Sequence, residues 1–383
     1  MSEAIRFLHA GPCWLDSAMT GVATAPAAVR PRLEDASLVA FDRLVESAID
    51  RRVDFVLLGG ETFCYADRSL RARLRIESGL ARLAEAGIAT VACAGTIDPA
   101  SGWLDLALPE EVTILTDRDA EATLEIAGQT VTIARLAEAL HPPRRCDLAI
   151  GLIPAGSDLS DDLDETADFD YLGLGESQRS ETELGRGWIH DPGPLVPGSP
   201  DQTETCGATL VERDRGGRLR LTPLALSPVV CHEITLHIDA DADIESLAET
   251  MAAAAPRVHG DDSVAVVTWS IEGQGPVRGD LALDGTWDDL IELVDAGQSV
   301  HRLRLEPAAG DADDVSEMLA GEIETYLDEQ TPDAETLIDA VAHRELRERM
   351  ADAVADGRVA DRTRTLATMA VAADCPALWN DAA

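Results

Sequence analysis

Three short apolar runs, each stopping at glycine and separated by helical patterns, constrain the first hundred residues more than any other feature. Residues 5–9 read as a strand that halts at the Gly11-Pro12 turn. LEDASLVAFDRLVESAIDRRV (33–53) places apolar residues at 38, 41, 44, 45 and 48, the spacing of one helical face. DFVLLGG (54–60) has the composition of a fully buried strand ending in glycines. SLRARLRIESGLARLAEAG (69–87) is an amphipathic helix closed by Gly87, and IATVACAG (88–95) is the next strand. This order predicts parallel pairing through right-handed crossovers. In such sheets chemistry gathers beyond the carboxyl ends of the strands.

The pattern then shifts toward short strands and hairpins. VTILT (112–116) is a strand, and ATLEIAGQTVTIA (122–134) is a hairpin around Gly128. LAIGLIP (148–154) and DYLGLG (170–175) are buried-type strands, and residues 207–226 form a second hairpin turning at Gly216-Gly217. The expected fold class is α/β, a sandwich of two mixed β-sheets flanked by helices over residues 1–227. Residues 228–307 form a smaller α/β unit, with strands at 232–239, 263–273 and 301–307 and helices at 244–255 and 286–297. An acidic stretch poor in bulky apolar residues marks 308–330 as a linker and helix. Residues 331–383 form a helical tail whose stripe of Leu337, Val341, Met350 and Val354 suits core packing or a partner helix.

Charge narrows the partners. The net charge is −40, with an isoelectric point near 4.3, and all 31 basic residues are arginine. Acidic residues run along the whole chain, as expected of a halophilic protein with a solvated acidic surface. Such a surface repels nucleic acid at low salt. At about 1 M salt the screening length falls to about 3 Å, so DNA stays open as a partner in high salt. No run approaches a membrane-spanning helix, and the N-terminus lacks a basic region followed by an apolar stretch, so a cytoplasmic protein with no membrane partner is expected. The seven cysteines, an odd number with no CxxC, argue against a disulfide framework or a zinc ribbon.

The turns after the strands are 10-AGPCWLDS-17, 58-LGGETFCYADRSLRARL-74, 94-AGTIDP-99, 150-IGLIPAG-156, 173-GLGESQ-178 and 191-DPGPLVPG-198. In this order they resemble the motifs of the calcineurin-like metallophosphoesterases, and among these the SbcD/YhaO-type DNA repair exonucleases. VRPRLEDASLVAFDRLVESAIDRRVDFVLLGG, ADRSLRARLR and RLAEAGI resemble the helices and second strand of that branch. The resemblance covers residues 5 to about 225 well, and 228–305 loosely as a capping domain. It implies a metallophosphoesterase-like fold, dimerisation, and a coiled-coil ATPase of the SbcC kind, or an active paralogue, engaged through residues 331–370.

The resemblance also implies two manganese ions, one generating hydroxide and both clamping phosphate. The family motifs are Asp-x-His, Gly-Asp, Gly-Asn-His-Asp, a histidine after an apolar strand, and Gly-His-x-His. The matching positions here are Gly11 and Cys13; Glu61; Thr96 and Ile97; Pro154; and Glu176 and Gln178. Gly60, Gly95 and Gly175 keep the turns, and Asp16 and Asp98 survive although the family does not use them as primary ligands. No catalytic set is intact, and no cofactor is expected. The expectation is a catalytically inactive homologue, a non-catalytic subunit or regulator of a DNA-repair complex. One alternative is a phosphoesterase with altered metal chemistry on Glu61, Glu176, Gln178 and Cys13; another is a non-cleaving module for nucleotides or DNA ends. Cys13, Cys64 and Cys93 fall near three strand ends, as a soft metal or redox cluster or, more commonly, as small apolar fillers. His9 reads as a framework residue. Arg68, Arg71, Arg73, Arg75 and Arg82 share one helix and its entry loop, a pattern suited either to phosphate contact or to a mixed solvated face.

If the acidic surface is tuned to salt, the unfolding temperature rises by several degrees as KCl goes from about 0.1 M to about 3 M. Calorimetry across that range checks this; a midpoint that is flat or falls overturns it.

Overall fold

The computed structural model describes residues 4–136, 146–155, 169–184, 187–256 and 263–305, apart from positions 274, 282, 284, 296 and 298. The expected linker and helical tail lie outside the described residues. The first sheet contains β1 (Ile5–Ala10), β2 (Phe55–Leu58), β3 (Ala89–Cys93), β4 (Val112–Leu115), β11 (Gly207–Arg213) and β12 (Leu219–Ala225). Its order is β12-β11-β1-β2-β3-β4, with β1 to β4 parallel, β11 antiparallel to β1, and β12 antiparallel to β11. The second sheet contains β5 (Glu121–Ile126), β6 (Gln129–Arg135), β7 (Leu148–Ile153), β8 (Tyr171–Leu174), β9 (Ser180–Leu184) and β10 (Gly187–Asp191). Its order is β5-β6-β7-β8-β10-β9, parallel from β6 through β10 with an antiparallel strand at each edge. The expected pair of mixed sheets flanked by helices is therefore present.

Strand alternation builds two cores from the same strands. Ile5, Phe7, Phe55, Leu57, Val91 and Cys93 face the second sheet, meeting Val131, Ile133, Ile150, Leu152 and Tyr171. Their neighbours Leu8, Ala10, Val56, Leu58, Ala92 and Ala94 face the helices. Period-two burial on both faces is why these strands read as continuous apolar runs. Phe7 stacks on Phe55 with ring centroids 4.7 Å apart, and Tyr171 meets Phe7 edge-on at 5.4 Å.

The crossovers are α2 (Ala36–Arg51), preceded by the short α1 (Arg30–Glu34), and α3 (Leu70–Glu85); α4 (Ala100–Leu104) follows β3. Helix α2 buries Leu38, Phe41, Leu44, Val45 and Ala48, the face expected from the sequence. Helix α3 begins at Ser69, whose Oγ accepts the Ala72 N–H at 3.0 Å, and ends before Gly87 at φ +76°. Gly79 lets the two helices close up, since a Cβ there would stand 2.6 Å from Phe41 Cε1.

The last part of the described chain is a three-stranded sheet, β13 (Val229–Ile238), β14 (Val264–Gly273) and β15 (Val300–Leu305), in the order β13-β14-β15. Helices α5 (Ile244–Ala254), α6 (Pro276–Leu281) and α7 (Thr286–Val294) accompany it. Asp243 and Ser246 close α5 in a reciprocal capping box. Val229, Cys231, Val264, Val266 and Val300 join the same apolar core as α2 and α3. The chain divides into two compact units. Among the described residues, one takes in those of Met1–Leu236 with Asp241–Ile271 and Pro276–Arg304; the other takes in those of His237–Ala240 and Glu272–Gly275, with Leu305. Within the second unit Gly273, at φ +108°, lies against the Ile238 carbonyl.

The strand ends of the two large sheets approach closely at Gly175 and Gly59. A Cβ on Gly175 would stand 2.3 Å from the Gly59 carbonyl oxygen. Gly175→Ala is therefore expected to lose about 1–3 kcal/mol, whereas Gly279→Ala, where a Cβ meets nothing within 4 Å, leaves stability unchanged or raises it. Denaturant titration of the two variants checks the contrast.

Candidate functional site

The carboxyl ends of β1, β2, β3, β7 and β8 converge on one floor built largely of backbone. Gly60, at φ +113°, has the Cys93 carbonyl, the Pro154 ring and the Gly95 Cα as its nearest neighbours. Gly59 lies against Gly175, and Gly11 against Gly193. The six turns picked out in the sequence thus come from separate parts of the chain to one place. What they bring there is mainly glycine, proline and peptide groups.

Asp98 holds two of these turns in register. One carboxylate oxygen accepts the N–H groups of Gly95 at 2.9 Å and Glu61 at 3.1 Å, and the other accepts Thr62 N–H at 2.8 Å. The side chain is fully buried. Burial pushes its pKa up to about 6, while the hydrogen bonds from Thr62, Gly95 and Glu61 pull the other way. The β1 turn is tied in by its own backbone, with Cys13 and Trp14 N–H both donating to the Glu61 carbonyl at 3.1 Å. Asp16 fastens the outer side: it accepts the Ser69 hydroxyl at 2.5 Å and pairs with Arg71 at 3.2 Å. Trp14, Asp16 and Glu61 all sit at positive φ, between +42° and +62°, without being glycine. Each such residue stores strain that the surroundings must offset.

The candidate site residues divide by what they offer. Glu61 is half-buried and accepts the Trp14 indole N–H at 3.1 Å. Glu176 and Gln178 are exposed at the rim, as is Thr96. Ile97 and Pro154 present no donor atom, and Gly11 no side chain. Cys13 is fully buried, and burial pushes its thiol up to about 12; Cys93 behaves alike. At neutral pH both are protonated, packed thiols. Among the described residues no group of three or more His, Cys, Asp or Glu side chains could hold a metal ion, so Cys13, Cys64 and Cys93 do not form the soft site. The donor set does not fit a two-metal centre, which needs several hard oxygen and imidazole ligands converging from different strand ends.

Sequence reasoning missed two features. Trp14 is the first: Asp-x-His spacing fits residues 12 and 14 as well as 11 and 13, and it is the residue-14 side chain that meets Glu61. The second is a buried polar cluster beneath the floor. His9 Nδ1 and the Tyr171 hydroxyl share a hydrogen bond of 2.8 Å, as do His190 Nε2 and Thr209 Oγ1. The two imidazoles lie 6.3 Å apart. Burial lowers His9 well below the usual histidine range, with His190 adding repulsion, and burial brings His190 to about 4. Asp191 goes the other way, up to about 7, although the Gly193 and Glu176 N–H groups oppose its burial. Gly173 makes room for the cluster, since a Cβ there would stand 2.8 Å from His9 Cε1. The single scattered histidines gave no signal, because the partners come from four strands.

The arginines near α3 are mostly committed to carboxylates. Arg71 pairs with Asp16 and Asp35, Arg73 with Glu77, Arg75 with Asp42 and Arg82 with Glu46; Arg68 lies over the Tyr65 ring.

Comparison with known proteins gives a partial relationship. No family model matches the chain. A protein of Bacillus subtilis (strain 168) called the uncharacterized metallophosphoesterase YhaO is 32% identical over 115 residues. That match takes in 30% of this chain and 28% of the relative, so the chain spans under a third of its length. The solved structure of TT1561 of Thermus thermophilus is 16% identical, with a TM-score of 0.35, covering 58% of this chain and 99% of that one. Over those 115 residues the chain is similar to a metallophosphoesterase.

Asp98→Ala removes the acceptor of one buried N–H, from Thr62, and two part-buried ones, from Glu61 and Gly95, and is expected to cost about 3 kcal/mol. Asp98→Asn tests the charge. Between about 3.8, the ordinary value, and about 6, the folded state keeps a proton that the unfolded chain has released. Native stability therefore falls through that window as pH rises. Relative to the parent, Asp98→Asn is expected to improve from pH 4 to pH 7, as measured by denaturation at both; a constant difference contradicts the assignment.

Proposed function

We propose that this chain is a metallophosphoesterase-like protein that no longer performs two-metal hydrolysis. It acts as a non-catalytic subunit or regulator, with a DNA-repair complex as its setting. The single observation that carries this reading is the content of the converged strand ends: a glycine floor, Pro154, Ile97, two protonated thiols and a Glu61 already engaged by Trp14. Losing one supporting contact to a metal ligand already costs about 10–100-fold in affinity or activity. Replacement at every station removes the clamp itself. The repair setting rests on the resemblance of the motif-flanking segments to SbcD/YhaO-type exonucleases, and a coiled-coil ATPase of the SbcC kind or an active paralogue is the corresponding partner.

The test is direct. The purified full chain is analysed for bound metal and assayed on a phosphodiester and on double-stranded DNA with manganese in molar KCl. Substoichiometric metal and no turnover are expected. Stoichiometric metal, together with turnover lost in Glu61→Ala, overturns the proposal.

A further inference from the structure

Beside the floor, on the other side of Trp14, lies a chamber of about 250 Å³. Leu33, Ala36, Val196, Pro197 and Val229 give it apolar walls, with Met19 among the lining residues. We propose that it is a binding pocket for an uncharged, flat, ring-sized group of a small molecule.

Three observations carry this. The first is charge. In a chain where 27% of residues are charged and the net charge is −40, all eleven lining residues are uncharged. A group that enters must shed its water against apolar surface, which a charged group resists.

The second is preorganisation. The wall formed by residues 14–20 is latched to the wall formed by 196–198. Thr20 N–H and its hydroxyl both donate to the Gly198 carbonyl, at 2.9 and 3.0 Å, and Gly198 N–H donates to the Gln202 side chain at 2.6 Å. The Trp14 indole is fixed at both ends. Its N–H is held by Glu61, and a Cβ on Gly198 would stand 3.3 Å from its Cζ3. Trp14 and Asp16 are both held at positive φ, a conformation that side chains resist. The Glu61 hydrogen bond and the packing at Gly198 hold a flat aromatic wall in advance of any ligand.

The third is the placement of the polar atoms. Ser37 Oγ accepts the Asp16 N–H at 2.9 Å and keeps its own proton to donate, and Ser17 supplies a second hydroxyl. An apolar chamber with a few placed polar groups is the usual form of a small-molecule site. A cavity of about 150 Å³ takes benzene, so this one suits one or two fused rings carrying a hydrogen-bond acceptor.

The experiment is titration of the full chain in molar KCl with adenosine, indole and benzamide, followed by saturation-transfer NMR and calorimetry. At least one probe is expected to bind at one site and to weaken at least tenfold in Ala36→Leu, which fills the interior. Ala18→Leu, at an exposed position on the rim, is expected to weaken it likewise and keeps the test open if the interior variant fails to fold. Absence of saturable binding by all three probes up to about 1 mM, or binding unchanged in Ala18→Leu, overturns the proposal. Its failure is distinguishable from that of the non-catalytic reading: a chain that cleaved phosphodiesters would refute the latter and leave this pocket unaffected.

Discussion

A single buried carboxylate sets the geometry on which the rest of the cleft depends. Asp98 gathers N–H groups from the β2 and β3 turns, and the β2 turn in turn receives Cys13 and Trp14 through the Glu61 carbonyl. Without that acceptor, three N–H groups would lie in an apolar setting with no partner. The positive φ values of Trp14, Asp16 and Glu61 are sustainable because the network over-determines them. One buried acid therefore keeps the shape of a cleft whose floor is mainly glycine, proline and peptide groups.

The interior beneath that cleft is governed by the cost of burying charge. Tyr171, His9, His190, Asp98 and Asp191 all have their pKa values shifted toward the neutral form, and burial is the leading cause in each. This is the low-dielectric counterpart of the −40 exterior. Charge is crowded on the surface, where water and salt screen it, and is suppressed between the sheets, where nothing does.

Much of the fold was legible because it follows from periodicity. The buried face of α2, the Gly87 stop of α3 and the apolar runs of β1, β2, β3 and β7 are local patterns with local causes. Strands β9 and β10 were not read. Ser180–Leu184 is polar and lies at a sheet edge, and β10 carries a buried histidine and aspartate that break an apolar run. In the cleft, the turns that meet there could be read from their order along the chain, since each follows an apolar strand. The Trp14–Glu61 contact and the His9–Tyr171 pair could not, since the latter joins residues 162 apart. Side-chain partners across two sheets leave no trace in local sequence.

The abutment of Gly175 on the Gly59 carbonyl has a mechanical meaning. A side chain at either position would have to push the β2 and β8 turns apart, so the spacing of the two strand ends depends on both places staying bare.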